Sequence, residues 1–387
     1  MTMNSVVRQM LALCCALSLM ACTDPERRET AALADPAGDD NKLLIIGQDL
    51  DAIRGYMASE CCPQPDGLTA YVYFYDILKE GNFGGLGIDA DGNPVNFEFS
   101  WGSGPVGAYQ TATGFGVSSL AIGLSITEND HPGDLQRLVD GEYDEHIRHL
   151  ALFMSLIEGP VYLRIGYEFD GAWNQGYEDA EKYKAAFKRI VDILRGAQAD
   201  NFETVWQAGA AVVDEVIDGR HEDIRQWYPG DEYVDWMGFS WFMNPDETIQ
   251  VESSYDPGTP LELTEEILSF ARERGKPVMI AEASPQAMDL NKKFIANHAG
   301  IWDGEPATGR VEMSNDDTWN HWFAPLFELL DSNRDVIHAL AYINVDWDSQ
   351  EVWGPPYASG FWGDTRLEVN AEIALRFSNA IADWKSP

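Results

Sequence analysis

Eight short apolar runs recur along the chain, at 43–49, 70–76, 119–126, 161–168, 203–209, 234–242, 277–284 and 337–347, each rich in β-branched and aromatic residues. Their hydrophobic positions are largely consecutive, which predicts strands covered on both faces. Between several of them the pattern lengthens to that of an amphipathic helix. "DEHIRHLALFMSLIEG", "DAEKYKAAFKRIVDILRG" and "LTEEILSFARERG" each close on a glycine (Gly159, Gly196 and Gly275), and "DDTWNHWFAPLFELLDS" and "NAEIALRFSNAIADW" follow later. Strands separated by helices pair in parallel, so the pattern predicts an α/β fold, a single-domain (β/α)8 TIM barrel over residues 42–387. One connection breaks the rule. Ile77 to Ser118 is a long insertion after strand 2, and the Asp91-Gly92 pair within it predicts a β-hairpin.

The first 41 residues carry a different pattern. Arg8 precedes the apolar run "MLALCCALSLMA", too short to span a bilayer comfortably and of the length of a signal-peptide core. The run ends in Leu19 to Cys22, "LMAC", which resembles the lipobox of bacterial lipoproteins. That resemblance implies a signal peptide over 1–21, an acylated Cys22 as lipid anchor, and a flexible tether over 22–41. With Asp24 one place beyond Thr23, the expected location is the bacterial outer membrane or cell surface, held by outer-membrane lipid. Only Cys61 and Cys62 then remain in the mature chain. Adjacent Cα atoms lie about 3.8 Å apart, below the usual disulfide range, so free thiols and a strained vicinal disulfide are both open. No second Cys or His pair stands at ligand spacing, so no metal is expected.

Charge narrows the partners. Lys and Arg total 26 against 64 Asp and Glu, a net charge of −38, which argues against nucleic acid and against an anionic membrane face. A neutral substrate fits better than a polyanion. In a barrel of this kind the active site gathers at the C-terminal ends of the strands, where the chemistry should be sought. Glu168 closes the fourth run and Glu282 the seventh. Alternation predicts that Arg164, Gly166 and Glu168 share one face, as do Val278, Ile280 and Glu282, so both acids should reach one rim. Two carboxylates in one crevice are the groups that glycoside hydrolysis requires, one as acid/base and one as nucleophile. Trp101, Trp173, Trp206, Trp241, Trp302, Trp347, Trp353 and Trp362 fall in or beside loops and strand ends, where about half should line a cleft and stack on sugar faces.

These residues together resemble glycoside hydrolase family 26 of clan A, known for endo-β-1,4-mannanases, β-1,3-xylanases and mixed-linkage glucanases. The resemblance rests on "IIGQD", "VYLRIGYEFDGAW", "WYPGDEYVDWMGFSWF", "ARERGKPVMIAEAS" and "HWFAPLFELL". It implies a retaining mechanism with Glu168 as acid/base and Glu282 as nucleophile, Arg164 as the arginine four places before the acid/base, and Trp347 as the aromatic platform of the last strand. Tyr167, Trp173 and Trp241 complete the expected substrate-binding set. The chain departs from the family pattern in two places. Tyr167 stands where the family usually has His, and Ser240, Trp241 and Phe242 stand for an Asp, an aromatic and a Tyr whose hydroxyl contacts the nucleophile. Another group must therefore orient Glu282. The expected substrate is β-1,4-mannan, with β-1,3-xylan and mixed-linkage glucan beside it, no cofactor, and a monomeric state. The contrasting class is a glycan-binding surface lipoprotein without turnover. "GSGPVG" (102–107) lacks a following helix and reads as a glycine-rich loop, "DADGN" (89–93) as a turn, and His146 with His149 as a solvent-facing pair.

Overall fold

The computed structural model describes residues 42–95, 99–219, 221–245, 256–296, 310–357 and 360–387. The expected signal peptide, tether and acylated Cys22, and Trp302, lie outside the described residues. Eight parallel strands close into a barrel: β1 (Leu43–Gly47), β2 (Gly67–Tyr73), β3 (Ser119–Ser125), β4 (Val161–Ile165), β5 (Phe202–Ala208), β6 (Trp236–Trp241), β7 (Val278–Ala283) and β8 (Ile337–Ile343). Each pairs with its neighbours in sequence and β1 with β8, as a (β/α)8 TIM barrel requires. Helices α1 (Leu50–Ala58), α2 (Ala108–Gly114), α3 (Asp134–Asp140), α4 (Asp144–Ser155), α5 (Ala180–Gly196), α6 (Val212–Asp218), α7 (Pro260–Arg274), α8 (Ala324–Ser332) and α9 (Ala371–Lys385) occupy the connections. Their ends follow sequence chemistry. Asp179 accepts from the Lys182 amide at the start of α5, and Thr259 with Glu262 forms a capping box on α7, which ends on the left-handed Gly275.

Alternation along the strands sorts two layers. Ile45, Ala121, Tyr162, Val205, Trp236, Met279, Ala281, Ala339 and Ala341 fill the barrel interior, whereas Leu44, Ile46, Leu163, Ile165, Met237, Phe239, Val278 and Ile280 face the helices. Above the apolar plug the inward positions turn polar: Thr69, Arg164, Gln207, Ser240 and Glu282 are all buried there. Gly123 belongs to this polar layer. A Cβ at Gly123 would stand 2.6 Å from the Tyr71 ring and 2.8 Å from Arg164 Nη2, so a side chain there would displace the arginine.

The same alternation corrects two aromatic assignments. Trp206 does not line a cleft. It faces outward, stacked on Phe169 at 4.4 Å between ring centroids and set edge-on against Tyr228 and Phe270. Trp241 likewise follows Met237 and Phe239 outward into the cluster between barrel and helices, because Trp236, Gly238 and Ser240 take the inward positions. Its ring therefore does not line the cleft. Trp206→Leu is expected to lower the unfolding free energy by about 2–4 kcal/mol, the cost of vacating a large core site, while leaving KM unchanged. Chemical denaturation and steady-state kinetics on the same preparation check this, and a raised KM at unchanged stability would restore Trp206 to the cleft.

The insertion after β2 holds two small antiparallel pairings. Ile88 bridges Pro94 across a turn in which Asp89 Oδ1 accepts from the Asp91 and Asn93 amides, and Phe99–Ser100 pairs with Pro105–Val106 across the glycine-rich loop. "DADGN" is thus a turn. The histidine pair is not solvent-facing: His149 is buried and His146 half-buried on α4, where the hydrophobic stripe of the helix turns them inward. Cys61 and Cys62 are free thiols with sulfurs 3.5 Å apart.

Candidate active site

Glu282 reaches the polar layer through an irregularity in β7. Phe239 is in register with Ile280 but Ser240 with Glu282, so Ala281 is an extra residue on β7, and the pairing with β8 skips in the same place. Val278 and Ile280 face outward, contrary to the alternation expected for them, and the bulge turns Glu282 inward directly after Ala281. Glu282 is buried, 8% exposed. Its Oε1 accepts from Arg164 Nη1 at 2.6 Å and lies 3.5 Å from Gln207 Nε2. Arg164 is fully buried, donates also to Gln207 Oε1 (3.0 Å) and Thr69 Oγ1 (3.3 Å), and lies between the rings of Tyr71 and Tyr167, 5.0 and 5.4 Å from their centroids. A buried carboxylate is retained only with such a partner. Burial and the charge of Glu282 push the Tyr71 phenol well up, so that hydroxyl stays protonated beside the carboxylate.

Glu168 arrives by a different route. Strand β4 ends at Ile165, three residues before it. Gly166 and Glu168 both take positive φ, 56° and 52°, a conformation that costs energy at a non-glycine residue and bends the chain back over the barrel mouth. The surrounding loop holds that bend. Asp170 accepts from the Gly209 and Ala210 amides, Asp214 from the Ala172 amide, and Asn174 Nδ2 donates to the Glu168 carbonyl at 2.8 Å. The Glu168 carboxylate accepts from Ser240 Oγ at 2.7 Å on Oε1 and from Trp173 Nε1 at 2.9 Å on Oε2. Burial first, and then the neighbouring charge of Glu282, raises its pKa from 4.5 to about 8, while the Ser240 and Trp173 hydrogen bonds pull the other way. At neutral pH Glu168 therefore carries its proton.

The structure thus brings Glu168, Glu282, Arg164, Tyr167 and Trp173 into one mouth. Trp347 lies just after β8 and is only 3% exposed, because Trp353 and Trp362 pack on it at 5.3 and 4.9 Å, and Phe242 meets Trp362 edge-on at 5.1 Å. On the β2 side Tyr73 stacks on Trp101 at 4.3 Å. Aromatic clusters therefore stand after β8 and after β2. Thr69, Tyr71 and Gln207 escaped the sequence reading. Gln207 was legible in principle as the one amide in an otherwise apolar strand end, two places from the inward Val205. Among the described residues no group of three His, Cys, Asp or Glu side chains could hold a metal ion.

The family model of glycosyl hydrolase family 26 matches residues 142–306, which carry both acids. The chain is 31% identical over 348 residues to the β-1,3-xylanase TXYA of a Vibrio species, covering 90% of this chain and 66% of that protein. It is 30% identical over 344 residues to a β-1,3-xylanase of an Alcaligenes species, covering 89% and 64%. It therefore spans a little under two thirds of the length of these relatives. The solved structure of a family 26 β-mannanase from Bacteroides ovatus covers 88% of this chain and 89% of its own, with a TM-score of 0.50 at 16% identity, a likeness of fold. Barrel, paired acids and these similarities agree: the chain belongs to glycoside hydrolase family 26.

Proposed function

We propose that this protein is a retaining endo-β-glycanase and that its polysaccharide is β-1,3-xylan. The observation that carries the reaction class is the pair of unlike carboxylates in one mouth, Glu282 fixed against Arg164 and Glu168 held by Ser240 and Trp173, with burial and the charge of Glu282 raising the pKa of Glu168. With Oε1 of Glu282 held by Arg164, its Oε2 attacks the anomeric carbon. Glu168 gives its proton to the departing glycosidic oxygen as that carbon–oxygen bond breaks, so a glycosyl ester forms on Glu282 and the shortened chain leaves with a new hydroxyl. Glu168, now ionised and stabilised by the Ser240 and Trp173 donors, takes a proton from water. The water oxygen bonds to the anomeric carbon, the ester breaks, and both carboxyl groups return to their starting states. The choice of β-1,3-xylan over β-1,4-mannan rests on the two xylanase relatives, whose similarity extends over about nine tenths of this chain.

The test is reducing-end release by the purified protein from β-1,3-xylan, β-1,4-xylan, β-1,4-mannan and mixed-linkage β-glucan, with product sizes followed over time. β-1,3-xylan should yield a spread of short oligosaccharides from the first minutes. Faster release from mannan would overturn the substrate, and binding without release from any polymer would favour a glycan-capturing protein. A pH profile sharpens the test. Because the proton on Glu168 is needed, kcat/KM should hold through neutrality and fall with an alkaline midpoint near 8. A midpoint near about 5, in the range of an ordinary carboxylic acid, would remove Glu168 as the acid.

A further inference from the structure

The amide of Gln207 has one possible orientation. Its neighbours are Arg164 Nη1 at 3.0 Å, Ser240 Oγ at 3.1 Å and Glu282 Oε1 at 3.5 Å. Arginine has no acceptor, so the Gln207 oxygen must face Arg164, and its NH2 group must face Ser240 and Glu282. Ser240 then accepts from Gln207, and its single hydroxyl proton has Glu168 Oε1, 2.7 Å away, as its partner. Donation runs one way, from Arg164 through Gln207 and Ser240 to Glu168.

We propose that Gln207 and Ser240 are positioning residues that form a one-way donor relay between the two carboxylates, keeping Glu168 Oε1 an acceptor in both charge states and so confining the acid's proton to Oε2. This rests on the glycanase reading for its consequence but on hydrogen-bond geometry for its existence. Oε2 is the oxygen beside Trp173, an exposed residue, so the proton is presented where solvent and polymer enter. The relay also joins the two steps of the reaction. When Glu168 ionises its charge spreads over both oxygens, and the Ser240 hydroxyl already donates to Oε1, so nothing has to turn. Glu282 on β7 and Asp170 of the same loop are the charged groups that act on Glu168, and Arg164 on β4, Tyr71 on β2 and Tyr167 surround Glu282.

Because the Ser240 donor favours the ionised acid, Ser240→Ala should move the alkaline limb of kcat/KM upward by about half to one pH unit, the equivalent of one hydrogen bond. Ser240→Thr, which keeps the hydroxyl, should return the limb to its wild-type position. Gln207→Met should also raise it, since the serine is no longer compelled to donate. A readout independent of turnover is the Trp173 indole ¹⁵N–¹H signal, assigned by its loss in Trp173→Phe, whose pH titration reports the ionisation of Glu168 through their hydrogen bond. Its midpoint should move up in Ser240→Ala by the same amount. An unmoved or lowered midpoint, or failure of Ser240→Thr to restore it, overturns the relay. A wild-type protein that cleaves no polymer would sink the glycanase reading while leaving the indole titration to decide the relay by itself.

Discussion

Glu282→Gln should reduce turnover of polysaccharide by at least about 10⁴-fold while leaving polymer binding intact, because the amide keeps the shape and still accepts from Arg164 but cannot form a glycosyl ester. Glu168→Ala should behave differently. Its loss on natural substrate should be about 10²–10⁴-fold, the worth of a general acid. On an aryl glycoside whose leaving group needs no protonation, its first step should proceed nearly as in the wild type. Azide separates the two roles by stereochemistry. In Glu168→Ala the ester on Glu282 still forms, and azide entering from the vacated side should give a glycosyl azide of the substrate's own anomeric configuration. In Glu282→Ala the small anion fills the nucleophile's space and attacks once, so any azide product should be inverted. Product configuration by NMR checks this. Equal and modest losses in both variants, with no azide product from either, would mean that the two acids shape a binding groove and do not carry the reaction.

Much of this arrangement is legible in the amino-acid sequence itself. Parallel strands under two covers read as unbroken apolar runs, so the eight segments and the helices between them declare themselves by composition and period. The acids were found because a carboxylate at the end of such a run has few reasons to be there. What stayed hidden was how they arrive. Alternation would send Glu282 to the face of Val278 and Ile280, which is the outer one. A single extra residue at Ala281 reverses it, and a bulge of this kind leaves no mark in residue type. The fourth apolar run extends to Glu168, whereas strand β4 stops at Ile165 and the remaining step is made by left-handed backbone at Gly166 and Glu168. Aromatic content alone could not tell Trp206 and Trp241, packed under helices, from Trp173 at the mouth. Strand parity could have, since Trp241 follows an inward Ser240 and Trp206 an inward Val205. Gln207 was passed over because an isolated amide carries no charge to draw notice, although its neighbours make it the link between both acids.

Arg164→Met should cost about 3–5 kcal/mol of stability, the usual penalty when one member of a buried ion pair is removed and the other charge is stranded. The guanidinium is wholly enclosed and its 2.6 Å bond to Glu282 lies in a site that water reaches poorly. For a domain of this size about 1.4 °C of melting temperature accompanies each kcal/mol, so a fall of about 4–7 °C is expected. The double variant Arg164→Met with Glu282→Gln separates charge from packing. If the stranded carboxylate is what destabilises the single variant, removing its charge should recover most of the loss, and the two substitutions should be strongly non-additive. Recovery should stop short of wild type by about 1–2 kcal/mol, because Gln207 Oε1 and Thr69 Oγ1 lose their donor and Tyr71 and Tyr167 lose the cation between their rings. Arg164→Lys makes the geometric point. A lysine restores a charge but, as a single ammonium on a flexible stem, does not reproduce the planar fork that reaches Glu282, Gln207 and Thr69 together. It should recover part of the stability and little of kcat, since an unanchored Glu282 no longer holds its second oxygen toward the anomeric carbon. Calorimetry and kinetics on Arg164→Met, Glu282→Gln, the double variant and Arg164→Lys decide the matter: additive melting shifts, or full activity in Arg164→Lys, would reduce Arg164 to a packing residue and leave the orientation of Glu282 to Tyr71 and Gln207.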